Sequence, residues 1–125
     1  MNAFGIGIDL VDIERMRRIL GRHAERFEEK AFTAAERDYC RRHRDPVPHF
    51  AARFAAKEAI AKALGTGIGA DLGWHDMEIG HAANGRPVVT LSGAGLAFAK
   101  AHGITQVMIS LTHEKSHAAA QAMVL

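Results

Sequence analysis

Apolar and polar residues change their spacing several times along this chain, and each change of period marks an element. Residues 3–13, AFGIGIDLVDI, are β-branched and apolar with glycines at 5 and 7. They predict a buried strand whose glycines admit a second backbone or a ligand close to it. From Ile13 to Phe27 the period becomes helical. Ile13, Met16, Leu20, Ala24 and Phe27 form one stripe, while Arg15, Arg18, Arg22 and Arg26 form another on nearly the opposite side. Gly21 is a candidate break between two helices. Thr33 and Glu36 stand at capping-box spacing and predict a second helix over about 34–43. Arg41, Arg42, His43 and Arg44 close it, where cations suit the negative helix end. Asp45-Pro46-Val47-Pro48 reads as a connector, because two prolines exclude regular helix.

A central helix is expected from about His49 to Leu64. Phe50, Phe54, Ala61 and Leu64 supply a packing stripe, and the many alanines permit close approach to another element. Glu58 and Lys62 are four apart with the acid first, the favourable order for a helical ion pair; Arg53 and Lys57 are also four apart. Gly65 suits a C-terminal cap, with Gly67 and Gly69 giving a permissive loop beyond. Residues 75–91 predict two strands about an Asn84-Gly85 hairpin turn, with Arg86 exposed beside it. A short helix from Ser92 or Gly93 to His102 follows. Strands over 107–112 and 118–125 close the chain, joined by a polar turn at His113-Glu114-Lys115-Ser116.

Composition narrows the class. The 125 residues suit one domain, 1–125, with nearly half of them apolar and a quarter charged, which is ordinary for a soluble globular protein. No apolar run reaches bilayer-spanning length, and the N-terminus shows no basic segment followed by an apolar run and a cleavage site. Cys40 is the sole cysteine, so neither an internal disulfide nor a cysteine metal cluster is available. A cytoplasmic protein with no membrane contact is expected.

The net charge of +2 conceals a polarity. Residues 15–62 carry 13 Lys/Arg against 7 Asp/Glu, and the remainder carries 3 against 7. A basic segment of this kind is either a solvated surface or the seat of an anionic partner or ligand. Guanidinium groups offer forked donors to carboxylates or phosphates; Glu25, Glu28 and Glu29 lie close enough in sequence to neutralise part of the arginine face. Nucleic acid is disfavoured by one Trp, one Tyr and no recognisable binding motif.

The candidate chemistry lies in two places. Asp9 interrupts the first strand, where a carboxylate is costly unless it is paired, metal-bound or placed as a strand-end cap. Asp12, just before the helical pattern, reads as an N-cap. Two carboxylates from separate elements, Asp9 and Glu58, can share one hard cation such as Mg²⁺, which prefers oxygen ligands and keeps waters and substrate phosphates beside them. Lys62, one turn beyond Glu58, would then stand near a phosphate bridged to that metal, an arrangement suited to phosphoryl-type transfer. The glycine turn lacks the GK[ST] of a Walker A loop, and it follows a helix rather than a strand. His113 at a strand end is either simply exposed or a ligand contact.

GIGIDLVDIERM together with FAARFAAKEAIAKALGTGIG resembles the two motifs of the holo-[acyl-carrier-protein] synthases, the small bacterial type of 4′-phosphopantetheinyl transferase. The resemblance continues through Asn84-Gly85-Arg86-Pro87 and Ser110-Leu111-Thr112-His113 and covers essentially the whole chain. It implies a compact α+β fold, an antiparallel sheet packed on a central long helix, assembled as a homotrimer with active sites between subunits. It also implies Mg²⁺-dependent transfer of 4′-phosphopantetheine from coenzyme A to a serine of apo acyl carrier protein, in fatty acid biosynthesis. Carried over by position, Asp9 and Glu58 match the metal-binding carboxylates and, with Lys62 at the pyrophosphate, the catalytic group. Arg53 and the Gly65-Thr66-Gly67 turn match the motif around the coenzyme. Asn84, Arg86 and His113 would approach the nucleotide from a neighbouring subunit. The face formed by Arg15, Arg18, Arg22 and Arg26 would receive the carrier protein. The competing expectation is a non-enzymatic basic module that docks an acidic protein; it leaves the combination of Asp9, Glu58, Lys62 and glycine turn without a purpose.

Overall fold

A computed structural model describes residues 2–125, except for the side chain of Ala24, so the expected place of Ala24 on the apolar stripe lies outside the described residues. The architecture is α+β and is built around one helix. That helix, α3 (Val47–Leu64), is buried on nearly every side although it carries Arg53, Lys57, Glu58 and Lys62. Strands β1 (Gly5–Asp12), β4 (Val107–His113) and β5 (His117–Val124) form an antiparallel sheet in the order β1-β5-β4 against it. Helices α1 (Ile13–Ala31) and α2 (Ala34–Arg41) cover another side, and the hairpin β2 (Met77–His81) and β3 (Pro87–Leu91) pairs separately. Helix α4 (Gly93–Ala101) links the hairpin to β4.

The glycines of β1 explain how strand and helix meet. A Cβ on Gly5 would overlap the carbonyl oxygen of Ala63, and one on Gly7 would overlap that of Ala59. Glycine is the only residue that permits this approach, and it aligns the inward face of β1 (Gly5, Gly7, Asp9, Val11) along α3. The outward face is unusual: Ile6, Ile8 and Leu10 are 65%, 68% and 65% exposed. The strand expected to be buried is therefore buried on one face only.

Local signals account for most boundaries. The Asp12 carboxylate caps α1 by accepting from the Arg15 amide at 2.9 Å. Thr33 and Glu36 form the reciprocal capping box at the start of α2. Gly65 ends α3 with φ +78°, and its amide donates to the carbonyls of Ala61 and Lys62. Three expectations shift. Helix α1 passes through Gly21 and departs from helical geometry at His23. Helix α3 starts at Val47 rather than His49, because Pro48 occupies the first turn, where its missing N–H is not needed. His113 extends β4 and His117 opens β5, so the closing turn is shorter than the polar run suggested.

Candidate active site

Asp9 projects from the inward face of β1 towards α3, and its side chain is 18% exposed. Lys62 donates to it over 3.1 Å and to the Ile8 carbonyl over 2.9 Å. The expected Glu58–Lys62 pair is thus replaced by a bond between helix and strand, because the close approach at Gly7 brings Asp9 within the lysine's reach. Glu58 has no ion-pair partner among the described residues. Its carboxyl is raised from the ordinary carboxylate value by burial and by the neighbouring Asp9, with Lys62 opposing. Asp9, Asp12, Arg15, Phe54 and Glu58 share a cleft of about 250 Å³ between β1, α1 and α3.

This donor set fits a hard divalent cation. Two carboxylates from different elements face one cleft, and the like-charge contact that burdens Glu58 is the contact a cation would relieve. Among the described residues no group of three or more acidic, histidine or cysteine side chains could hold a metal. A cation here would therefore take further ligands from water or from a substrate.

The remaining candidates lie elsewhere on the chain. The Gly65-Thr66-Gly67 turn sits at the C-terminus of α3, with Gly67 at φ +62° and the Thr66 hydroxyl donating to the Gly67 carbonyl at 2.8 Å. Asn84 and Arg86 line a cavity of about 530 Å³ between the hairpin and β4. Arg53 and His113 share a third cavity with Tyr39, His49 and His81. Arg53 and Glu58 lie five residues apart on one helix, so they face different directions. One chain therefore presents the candidate parts on separate surfaces.

Arg53 is 2% exposed, and its Nε is the one buried side-chain polar atom without a hydrogen-bond partner among the described residues. Its guanidinium stacks 4.1 Å from the centre of the Tyr39 ring. A buried cation with no carboxylate beside it is a group awaiting an anion.

Arg15, Arg18, Arg22 and Arg26 are all exposed along α1, and none forms an ion pair among the described residues. The acids expected to compete turn away, Glu28 to Arg41 and Glu29 to Arg37. The arginine face is left open.

Two features escaped the sequence. Lys57 is wholly buried, and its Nζ donates to Glu36 at 2.6 Å, to the Ala31 carbonyl at 2.8 Å and to the Trp74 carbonyl at 3.0 Å. Burial draws its ammonium downwards, and Glu36 opposes this. Glu36 also accepts from the amides of Thr33 and Ile79, so the pair ties the end of α1, the first turn of α2 and the middle of β2 to α3. The signal was present: Lys57 falls on the stripe of Phe50, Phe54, Ala61 and Leu64. The second feature is a group of histidines around Tyr39, drawn from the segment after α2 and from α3, β2 and β4, whose separation in sequence hid it.

Comparison with known proteins gives a consistent result. The family model of the 4′-phosphopantetheinyl transferase superfamily matches residues 5–122. A holo-[acyl-carrier-protein] synthase of Desulforudis audaxviator is 48% identical over 119 residues, covering 95% of this chain and 90% of that protein. One from Chlamydia pneumoniae is 42% identical over 125 residues, with 100% and 99% covered. Among solved structures, the holo-[acyl-carrier-protein] synthase of Neisseria meningitidis superposes with a TM-score of 0.93 at 32% identity, covering 99% of both chains. The Helicobacter pylori synthase in complex with coenzyme A gives 0.86 at 32% identity, covering 96% of this chain and 99% of that one.

Proposed function

The chain belongs to the 4′-phosphopantetheinyl transferase superfamily and, within it, to the holo-[acyl-carrier-protein] synthases; from that membership we propose that it moves the 4′-phosphopantetheine group of coenzyme A onto a serine of apo acyl carrier protein. The serine oxygen bonds to the phosphorus that bears the pantetheine arm, the bond from that phosphorus to the bridging oxygen breaks, and adenosine 3′,5′-bisphosphate leaves. The observation that carries the reading is the meeting of Asp9 and Glu58 at one cleft, with Lys62 hydrogen-bonded to Asp9.

Asp9 and Glu58 would hold Mg²⁺, which would supply charge neutralisation to the diphosphate and to the departing bisphosphate. Lys62 sets the position of Asp9 and places a permanent positive charge where phosphate oxygens arrive. Arg15 lines the same cleft as the two carboxylates. An acidic carrier protein bound along Arg15, Arg18, Arg22 and Arg26 would therefore hold its serine beside the metal ligands. Arg53, Asn84, Arg86, His113 and the Gly65-Thr66-Gly67 turn serve the coenzyme.

A homotrimer reconciles these roles with their separation on one chain, because the nucleotide-binding parts of one subunit can meet the carboxylates of the next. The exposed Ile6, Ile8 and Leu10 on β1 supply an apolar surface for that contact. The reading places the enzyme in the cytoplasm, in the supply of carrier protein for fatty acid synthesis.

Incubation with apo acyl carrier protein, coenzyme A and Mg²⁺, followed by mass spectrometry, tests the activity. The expected result is a carrier protein heavier by one phosphopantetheine group. A carrier protein that binds but gains no mass would favour a non-enzymatic docking module.

A further inference from the structure

Strand β1 runs into helix α1 with no loop between them, and the corner is held from the start of β5 and from Asp12. The Ile13 amide donates to the Ser116 carbonyl over 2.9 Å. The Arg15 amide donates to Asp12 Oδ1 over 2.9 Å. These bonds satisfy two of the amides that the first turn of a helix leaves without a partner inside the helix. A third contact is between charges: His117 Nε2 stands 3.8 Å from Asp12 Oδ2. Asp12 and His117 are the last register pair of β1 and β5, beyond the apolar row of Ile6, Ile8 and Leu10.

The neighbours of the His117 ring decide which of its nitrogens carry hydrogen. The Ser116 hydroxyl stands 2.5 Å from Glu114 Oε1, and a carboxylate only accepts, so the single serine hydrogen goes to Glu114. Ser116 is left to accept, and His117 Nδ1, 2.8 Å from its oxygen, is therefore the donor. On the other side of the ring, Nε2 meets Asp12, again a group that only accepts. A distance of 3.8 Å is too long for a hydrogen bond. It suits an ion pair, whereas a neutral ring would turn a lone pair on the carboxylate. A cation at a helix N-terminus works against the helix dipole. The place of this one depends on the two carboxylates that flank it, Asp12 directly and Glu114 through the serine.

We propose that His117 is a positioning residue for docking of the carrier protein: as an imidazolium between the Ser116–Glu114 pair and Asp12, it keeps the Asp12 carboxylate on the Arg15 amide and so fixes Arg15 at the cleft. Arg15 lines that cleft with Asp9, Asp12 and Glu58, and it is the first arginine of the exposed face of α1. Without His117, the Asp12 carboxylate is free to leave the cap, and the first turn of α1 loosens. The inference rests on the reading of α1 as the surface that receives an acidic carrier protein, and it names a residue outside α1 on which that surface depends. Loss of the contact weakens docking and leaves the chemical step alone, so KM for the carrier protein rises while kcat stays.

Steady-state transfer from coenzyme A to apo acyl carrier protein, with each substrate varied in turn, tests the role. In His117→Leu, KM for the carrier protein is expected to rise about two- to fivefold, the range open to an exposed charge pair. Its kcat and its KM for coenzyme A should match the parent. His117→Arg, which keeps a permanent charge and several donors, should bring the carrier KM back towards the parent value. In an Asp12→Asn background, where the cap oxygen remains and the charge is gone, His117→Leu should add nothing. Hydrogen exchange at the Arg15 amide, read without any turnover, should be faster in His117→Leu than in His117→Arg. An unchanged carrier KM in His117→Leu overturns the positioning role. So does a fall in kcat or an equal rise in both KM values, since either marks a general disturbance of the fold. An effect of His117→Leu that persists undiminished in Asp12→Asn overturns the route through Asp12. A parent protein that transfers nothing overturns the reading of the function, and the docking role falls with it.

Discussion

Lys62 gives its hydrogen bond to Asp9 across 3.1 Å, so the cation of the central helix neutralises the acid of the neighbouring strand rather than the glutamate one turn before it. Glu58 is thereby left to face Asp9 with burial working against its charge.

This imbalance makes Glu58 a residue whose charge costs stability, as the proposed metal-ligand role would require. Glu58→Ala should abolish transfer at ordinary Mg²⁺, a loss on the order of 10²–10³-fold or more, while far-ultraviolet circular dichroism stays unchanged. Full activity in that variant would remove Glu58 from the mechanism. Its pH signature follows from the raised carboxyl. The folded protein favours the protonated acid, so the associated stability is present below the ordinary value of 4.5 and is lost as pH rises through the raised one. Glu58→Gln should therefore melt above the unmodified protein at pH 7.5 in the absence of Mg²⁺. The difference should vanish at pH 4 in calorimetric scans.

The buried Lys57–Glu36 pair should behave in the opposite sense. Lys57→Ala strands Glu36 without its counter-charge, and urea unfolding should show a loss of ~3–5 kcal/mol. Replacing both partners by apolar residues, Lys57→Met with Glu36→Leu, should recover part of that loss. It should not recover all, because the Thr33 and Ile79 amides lose their acceptor. A Lys57→Ala variant as stable as the parent would show that water reaches the site.

The proposed docking role of the open arginine face predicts different effects on the two proposed substrates. Arg15→Glu with Arg22→Glu should weaken binding of the carrier protein far more than binding of coenzyme A, as measured by calorimetry for each ligand. Rising ionic strength should reproduce the effect in the parent protein, since exposed charges are screened within about 10 Å at 0.1 M salt. Equal losses for both ligands would remove α1 as the docking surface.

In the proposed trimer, the exposed apolar row on β1 would carry the contact between subunits. Ile8→Asp, at a position 68% exposed in the single chain, should lower the mass measured by light scattering from trimer towards monomer, and should abolish transfer without disturbing the secondary structure. An active monomer would place the whole site within one chain.

Much of this was legible from local signals. The caps at Asp12, Thr33–Glu36 and Gly65, and the hairpin at Asn84-Gly85, are written in a few adjacent residues, and each produced the element it suggested. The carboxylates of the cleft were legible as residue types in an awkward place, a charge in an apolar strand and charges on an alanine-rich helix. Their partners were less so. Helical spacing favours Glu58 with Lys62, and only the distance between β1 and α3 redirects the lysine to Asp9. Lys57 was hidden by its charge, although its position on the packing stripe marked it as buried. The histidine group around Arg53 was not legible, since His43, His49, His81 and His113 become neighbours only when the segment after α2 packs with α3, β2 and β4.

That distance between strand and helix is fixed by what Gly5 and Gly7 lack. A single methyl group at position 7 would collide with the Ala59 carbonyl, and the strand would have to lift, carrying Asp9 with it. The spacing of the two carboxylates, and hence the fit of any cation they would share, is therefore gauged where Gly7, two residues before Asp9, meets Ala59, the residue after Glu58. Exchanging the two acidic side chains would change which ion such a cleft prefers; thickening the glycine spacer would change whether any ion is gripped.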